Sequence, residues 1–151
     1  MIPAFVVLKY ANKILSQNPK NIGALVLRGD SYVHLGEYDK AVDSYLEALS
    51  INGANPAIHY KLARIYSMQG KVDLAISFLE TALNIAPDQT IFLTSLAEVL
   101  VLANRPLEAM LYARVALAIA PQNAKTQELV ADLDTLLSEL DVPQAEITPL
   151  V

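Results

Sequence analysis

The chain has 151 residues, enough for one domain or for one array of small units stacked end to end. Its 11 Lys and Arg against 16 Asp and Glu leave a formal charge of −5, and there is no basic run, so a nucleic-acid partner is disfavoured and none is expected. The absence of cysteine removes disulfides, thiolate zinc sites and cysteine nucleophiles together, and 54% apolar residues place the chain far from the disordered class.

In chain order, Ile2–Leu8 is apolar but has no basic region before it, and Lys9 and Tyr10 stand where an export signal needs small residues. The longest apolar stretch, Ile91–Ala103, contains Thr94, Ser95 and Glu98 and is short of the about 20 residues that cross a bilayer. No direct membrane insertion is expected; the chain reads as soluble, in a cytoplasmic or periplasmic setting. Ala4–Gln17 reads as a helix. Ile22–Leu35 follows with Leu25, Tyr32 and Leu35 at helical spacing, and Gly36 supplies a left-handed stop. Tyr38–Ile51 repeats the pattern through Ala41, Val42, Tyr45, Ala48 and Leu49, and small residues, Gly29 against Ala41 and Ala48, let the pair approach closely.

This hairpin then recurs. Ala41, Ala75 and Ala109 are spaced 34 residues apart, and the same step relates Ala48, Ala82 and Ala116, then Leu49, Leu83 and Leu117, then Ile51, Ile85 and Ile119. Repeats therefore run 22–55, 56–89 and 90–123. In the third, Asn104 takes the place of glycine and Pro106 suits the first turn of the next helix. Residues 3–20 align with the second helix of a unit whose first is missing. This points to a piece cut from a longer array, or to another copy covering that side. Residues 123–140 align with a first helix carrying a narrow stripe of Leu129, Val130, Leu133, Leu136, Leu137 and Leu140 among charges, which suits a cap. The tail 141–151, with Pro143 and Pro149, is expected to be extended or disordered.

Nothing assembles into a catalytic or metal site. His34 and His59 stand in different units with no ligand partner at metal-binding spacing, and no phosphate loop or nucleophile elbow occurs. No enzyme, cofactor or metal is expected.

Leu25, Gly29, Tyr32, Gly36, Tyr38, Ala41, Tyr45 and Ala48, with Leu62, Ala63, Tyr66, Gly70, Ala75, Ala82 and Pro87 one period on, resemble the tetratricopeptide (TPR) repeat over roughly residues 3–121. The resemblance implies an all-α, right-handed solenoid with a C-terminal capping helix. Its first helices would line a concave groove that binds a protein or peptide ligand. Column by column, the groove residues would be Val26, Asp30 and Val33, then Tyr60, Arg64 and Ser67, then Thr94, Glu98 and Val101. Asp30, Arg64, Glu98 and Asp132 recur at the period, a ladder in which Arg64 either bridges its neighbours structurally or holds a ligand carbonyl or carboxylate. Three carboxylates to one Arg favour a basic or neutral peptide.

A TPR subfamily clamps chaperone carboxylates with Lys, Asn and Arg. The corresponding positions here are Val26, Asp30, Lys61, Ile91 and Ser95, so that clamp is absent. On the second helices the outward stripe changes from Asp43, Glu47 and Ser50 to Leu111, Val115 and Ala118, beside Tyr112. Either the cap or tail covers it, or it serves a homo-oligomer or partner helix. The leading expectation is a non-catalytic binding module or scaffold, a fragment of a larger protein. The alternative is a homo-oligomerising domain that uses the third repeat and the open first helix.

Overall fold

The computed structural model describes residues 1–147, and these contain helices and no strand. They run α1 Ala4–Gln17, α2 Ile22–His34, α3 Tyr38–Ile51, α4 Pro56–Met68, α5 Val72–Ile85, α6 Thr90–Leu102, α7 Pro106–Ile119, α8 Ala124–Glu139 and the single turn α9 Gln144–Ile147. From α1 to α8 each helix packs on the next, most extensively within the pairs α2–α3, α4–α5 and α6–α7, so the chain is an all-α solenoid.

The period is written into the ends of the helices. Asn21, Asn55 and Asn123 each turn a side-chain oxygen back to accept a backbone N–H of the first turn, at 2.9 Å from Ala24, 3.0 Å from Ala57 and 3.0 Å from Thr126. Gln89 holds the fourth position of that column without a cap bond. At the other end Gly36, Gly70 and Asn104 have φ of 75°, 74° and 60°. After each, a backbone N–H reaches five residues back into the helix: Glu37 to Tyr32, Lys71 to Tyr66 and Arg105 to Leu100, all 2.8 Å. The last first-type helix, α8, ends the same way but later, with Asp141 at φ 56° and Val142 bonded to Leu137.

Within the first unit the close approach has a partner other than the alanines. A Cβ on Gly29 would lie 2.5 Å from the Tyr45 ring, so the glycine exists to seat a tyrosine. The core forms two clusters. One joins α1 to α4 around Leu25, Tyr45, Ile58 and Leu62. The other joins α4 to α8 around Leu79, Leu96, Leu100, Met110 and Leu133. Helix α6 buries Phe92, Leu93, Thr94, Leu96, Ala97, Val99 and Leu100, as a helix apolar nearly all round must.

Of the tail, the described part folds into one helical turn beside α7 rather than the extended chain its prolines suggest. Val142 packs against the second core cluster, and the carbonyl of Pro143 accepts the Glu146 N–H at 2.9 Å, which starts the turn. The remainder of the tail, 148–151, lies outside the described residues.

Candidate binding groove

The first-type helices α2, α4, α6 and α8 line one side of the solenoid with a string of depressions. Between α2 and α4 lies one of about 270 Å³. A second, of about 440 Å³, sits between α4 and α6, and a third, of about 220 Å³, between α6 and α8. A fourth, of about 590 Å³, lies between the N-terminal residues and α2. Neighbours share walls: Asp30 and His34 at the first seam, Arg64 and Met68 at the next, Glu98 at the last. They therefore make one trough, and the ladder positions mark its seams.

Seven of the nine expected groove residues line it. Asp30, Val33 and Arg64 face the α2–α4 stretch, Tyr60, Arg64, Ser67 and Glu98 the α4–α6 stretch, and Glu98 and Val101 the α6–α8 stretch. Two do not. Val26 is half-buried against the first core cluster. Thr94 is buried, and its hydroxyl donates to the Thr90 carbonyl at 2.8 Å, so it serves its own helix.

The charges pair differently from the bridge that the ladder suggests. Asp30 takes Lys61 at 2.8 Å and also accepts the Tyr45 hydroxyl at 2.5 Å. Tyr45 is buried, and burial first, then the bond to Asp30, pushes its phenol well above the usual tyrosine range. Glu98 takes Lys125 at 2.9 Å. Among the described residues Arg64 makes neither ion pair nor hydrogen bond; its guanidinium carbon stands 5.9 Å from the Tyr60 ring centroid. The floor therefore carries Asp30, Glu98 and Asp132 against Lys61, Arg64 and Lys125, which overturns the acidic balance and the preference for a basic peptide drawn from it.

Lys61 and Lys125 are the charged residues of the trough that the ladder alone misses. Their signal is geometric: each lies on the next first helix, one or two turns ahead of the ladder position and hence on the same face.

Elsewhere, His59 is a packing residue. It is buried, its Nε2–H donates to the Gly53 carbonyl at 2.8 Å, and its ring lies 5.8 Å from Phe78. Among the described residues no three metal-ligating side chains converge. No helix there is long and apolar enough to cross a membrane. On α7, Leu111 and Val115 are 40% and 44% exposed and Ala118 is open, whereas Tyr112 is half-buried against the core. Neither α8 nor α9 covers the stripe.

A TPR repeat family model matches residues 29–70, and a second tetratricopeptide repeat model matches residues 56–89. The chain is a tetratricopeptide repeat protein. It is 33% identical over 78 residues to the TPR repeat-containing protein MJ1428 of Methanocaldococcus jannaschii, covering 52% of this chain. The chain spans 11% and 14% of the length of the curated relatives it matches. Among solved structures, MamA superposes with a TM-score of 0.81 at 16% identity, over 93% of this chain and 82% of that one. The first TPR of Spaghetti (RPAP3), described as bound to the HSP90 peptide SRMEEVD, gives 0.74 at 20% identity, over 78% and 93%. At these identities the likeness is one of fold. The TPR repeats set this chain among protein-interaction modules, and TPR proteins are generally non-catalytic scaffolds.

Proposed function

We propose that this TPR protein binds an extended protein segment along the trough, without catalysing a reaction on it. The observation that carries this reading is Arg64, a cation without an ion partner at the middle seam, between two carboxylates already matched by lysines. A guanidinium in that position is free to take a carboxylate or two backbone carbonyls of the ligand. Met68 and Leu102, both exposed in the α4–α6 depression, offer apolar seats for alternate side chains. The peptide bound by the RPAP3 relative supports this use of the surface, although the residues here differ from a carboxylate clamp.

The test is selection from a displayed library of short random peptides, followed by titration of the selected peptide against the wild type and Arg64→Ala. The variant is expected to lose about tenfold or more in affinity, the scale of one charge-assisted contact. Equal affinity of the two proteins for every selected peptide would refute the reading.

A second reading is self-association through α7, favoured by the exposure of Leu111 and Val115. Leu111→Glu would then lower the solution mass to that of a monomer, and an unchanged mass would remove it.

A further inference from the structure

The charged side chains of the α2–α4 and α4–α6 depressions leave a single charge uncompensated. Asp30 and Glu98 supply the carboxylates, Lys61 and Lys125 match them one to one, and Arg64, which lines both depressions, is left over. Asp30 is held to its own partners. The Tyr45 hydroxyl and the Lys61 ammonium both donate to the same oxygen, Oδ1, and Tyr45 is buried, so the carboxylate is fixed from below.

The guanidinium of Arg64 has a support. It stands over the Tyr60 ring, and that ring leans on the buried Phe92, with ring centroids 5.3 Å apart. The ring face steadies the cation while its N–H groups stay available to a ligand. Lys61 lies one turn before Arg64 on the same side of α4, and it gives Asp30 only one of its three N–H donors.

That charge decides what passes over the seam. A ligand that covers Arg64 strips its water, and a cation left beneath backbone carbonyls alone keeps its full charge in a poorer solvent. One carboxylate cancels it, whereas a phosphomonoester, at about −1.5 to −2, overshoots. The trough continues past Arg64 toward both α2 and α6, so a segment laid along it does not end there. In an extended segment, side chains two positions apart face the same way. The neighbours of the central one therefore fall toward Val33 on the α2 side and Leu102 on the α6 side, with Met68 between.

We infer that Arg64 reads an acidic side chain inside the ligand, an Asp or Glu with an apolar residue two positions to either side, and that Tyr60 is the positioning residue of Arg64. The inference rests on the trough being a segment-binding surface and adds the class of segment it takes.

The probe is a random peptide library displayed between two fixed flanks, so that the full chain is offered no free chain end. Selected segments are expected to share one acidic residue with apolar residues at the second positions to either side. Each is then synthesised with both ends capped, once with its acid and once with the matching amide. Replacing the acid by the amide is expected to cost about tenfold in affinity against the wild type and less than about twofold against Arg64→Ala. Tyr60→Leu is expected to weaken the acidic peptide about threefold and to leave the amide peptide unchanged, while Tyr60→Phe keeps the wild-type affinity. Urea unfolding of each variant establishes that it is folded.

If Arg64→Ala weakens the acid and amide peptides equally, or the selected segments carry no acid, the inference is overturned and Arg64 serves backbone carbonyls; the trough reading then stands. Tighter binding with phosphoserine in place of the acid overturns it in favour of a phosphate. Affinity that needs an uncapped C-terminal carboxylate overturns it in favour of a chain end. An equal loss on both peptides in Tyr60→Leu removes the positioning role. Failure of the trough reading looks different: Arg64→Ala then binds every selected segment as tightly as the wild type does.

Discussion

The first and third units share a backbone and differ in how it is held. In the first, polar chemistry is threaded through the packing. Tyr45 lies on Gly29, its hydroxyl holds Asp30, and Asp30 holds Lys61 of the next unit. Arg28 meanwhile spans α2 to α3, reaching Ser44 and Glu47. In the third, seven buried side chains of α6 do the work, and the Tyr45 position is Ala113. An apolar unit gains stability from area, which has no direction. A unit locked by hydrogen bonds has fewer ways to slip in register.

The largest effect that would sharpen this contrast is Leu96→Ala, expected to destabilise by about 2–5 kcal/mol because the side chain is fully buried. Urea unfolding measures it, and a cost below about 1 kcal/mol would mean that the third unit's apolar packing is loose. Next comes Gly29→Val, which drives a Cβ into the Tyr45 ring and is expected to cost about 1–3 kcal/mol. The same experiment checks it, and a neutral outcome would deny the lock its steric half.

Tyr45→Phe tests the polar half, at about 1–2 kcal/mol near neutral pH. It has a pH signature. The native phenol keeps its proton above the unfolded value of about 10, so above that pH the unfolded state binds fewer protons and stability falls. The wild type is therefore expected to lose stability more steeply than Tyr45→Phe as pH rises through 10 and beyond, while the two curves run parallel below it. Parallel curves throughout would remove the buried phenol from the account. The smallest effect is on Arg64→Ala, under about 1 kcal/mol, since the side chain is exposed and has no ion partner to abandon.

The helices and their period were legible in the residues, because small side chains at close approaches and left-handed stops recur in columns, whereas the open inner face followed only from the resemblance to the TPR family. The Asn21, Asn55 and Asn123 caps belong to such a column too, but a polar cap leaves no mark in an apolar periodicity. The pairing within the trough was less legible. A ladder at strict period relates Asp30 to Arg64, whereas Asp30 reaches Lys61, one turn nearer, because side chains span the gap between helices obliquely. Thr94 shows the other limit: its column position suggests the groove, but a threonine can return its hydroxyl to its own helix.

The trough also has two ends. At one extremity its wall is oily, built from Met1, Ile2, Val7 and Leu27; at the other it ends on Asp132 beside Leu136. For a segment bound as proposed, each extremity pairs apolar wall with one carboxylate of the ladder, Asp30 beside Leu27 at the first and Asp132 beside Leu136 at the last, so the two ends offer similar anchors.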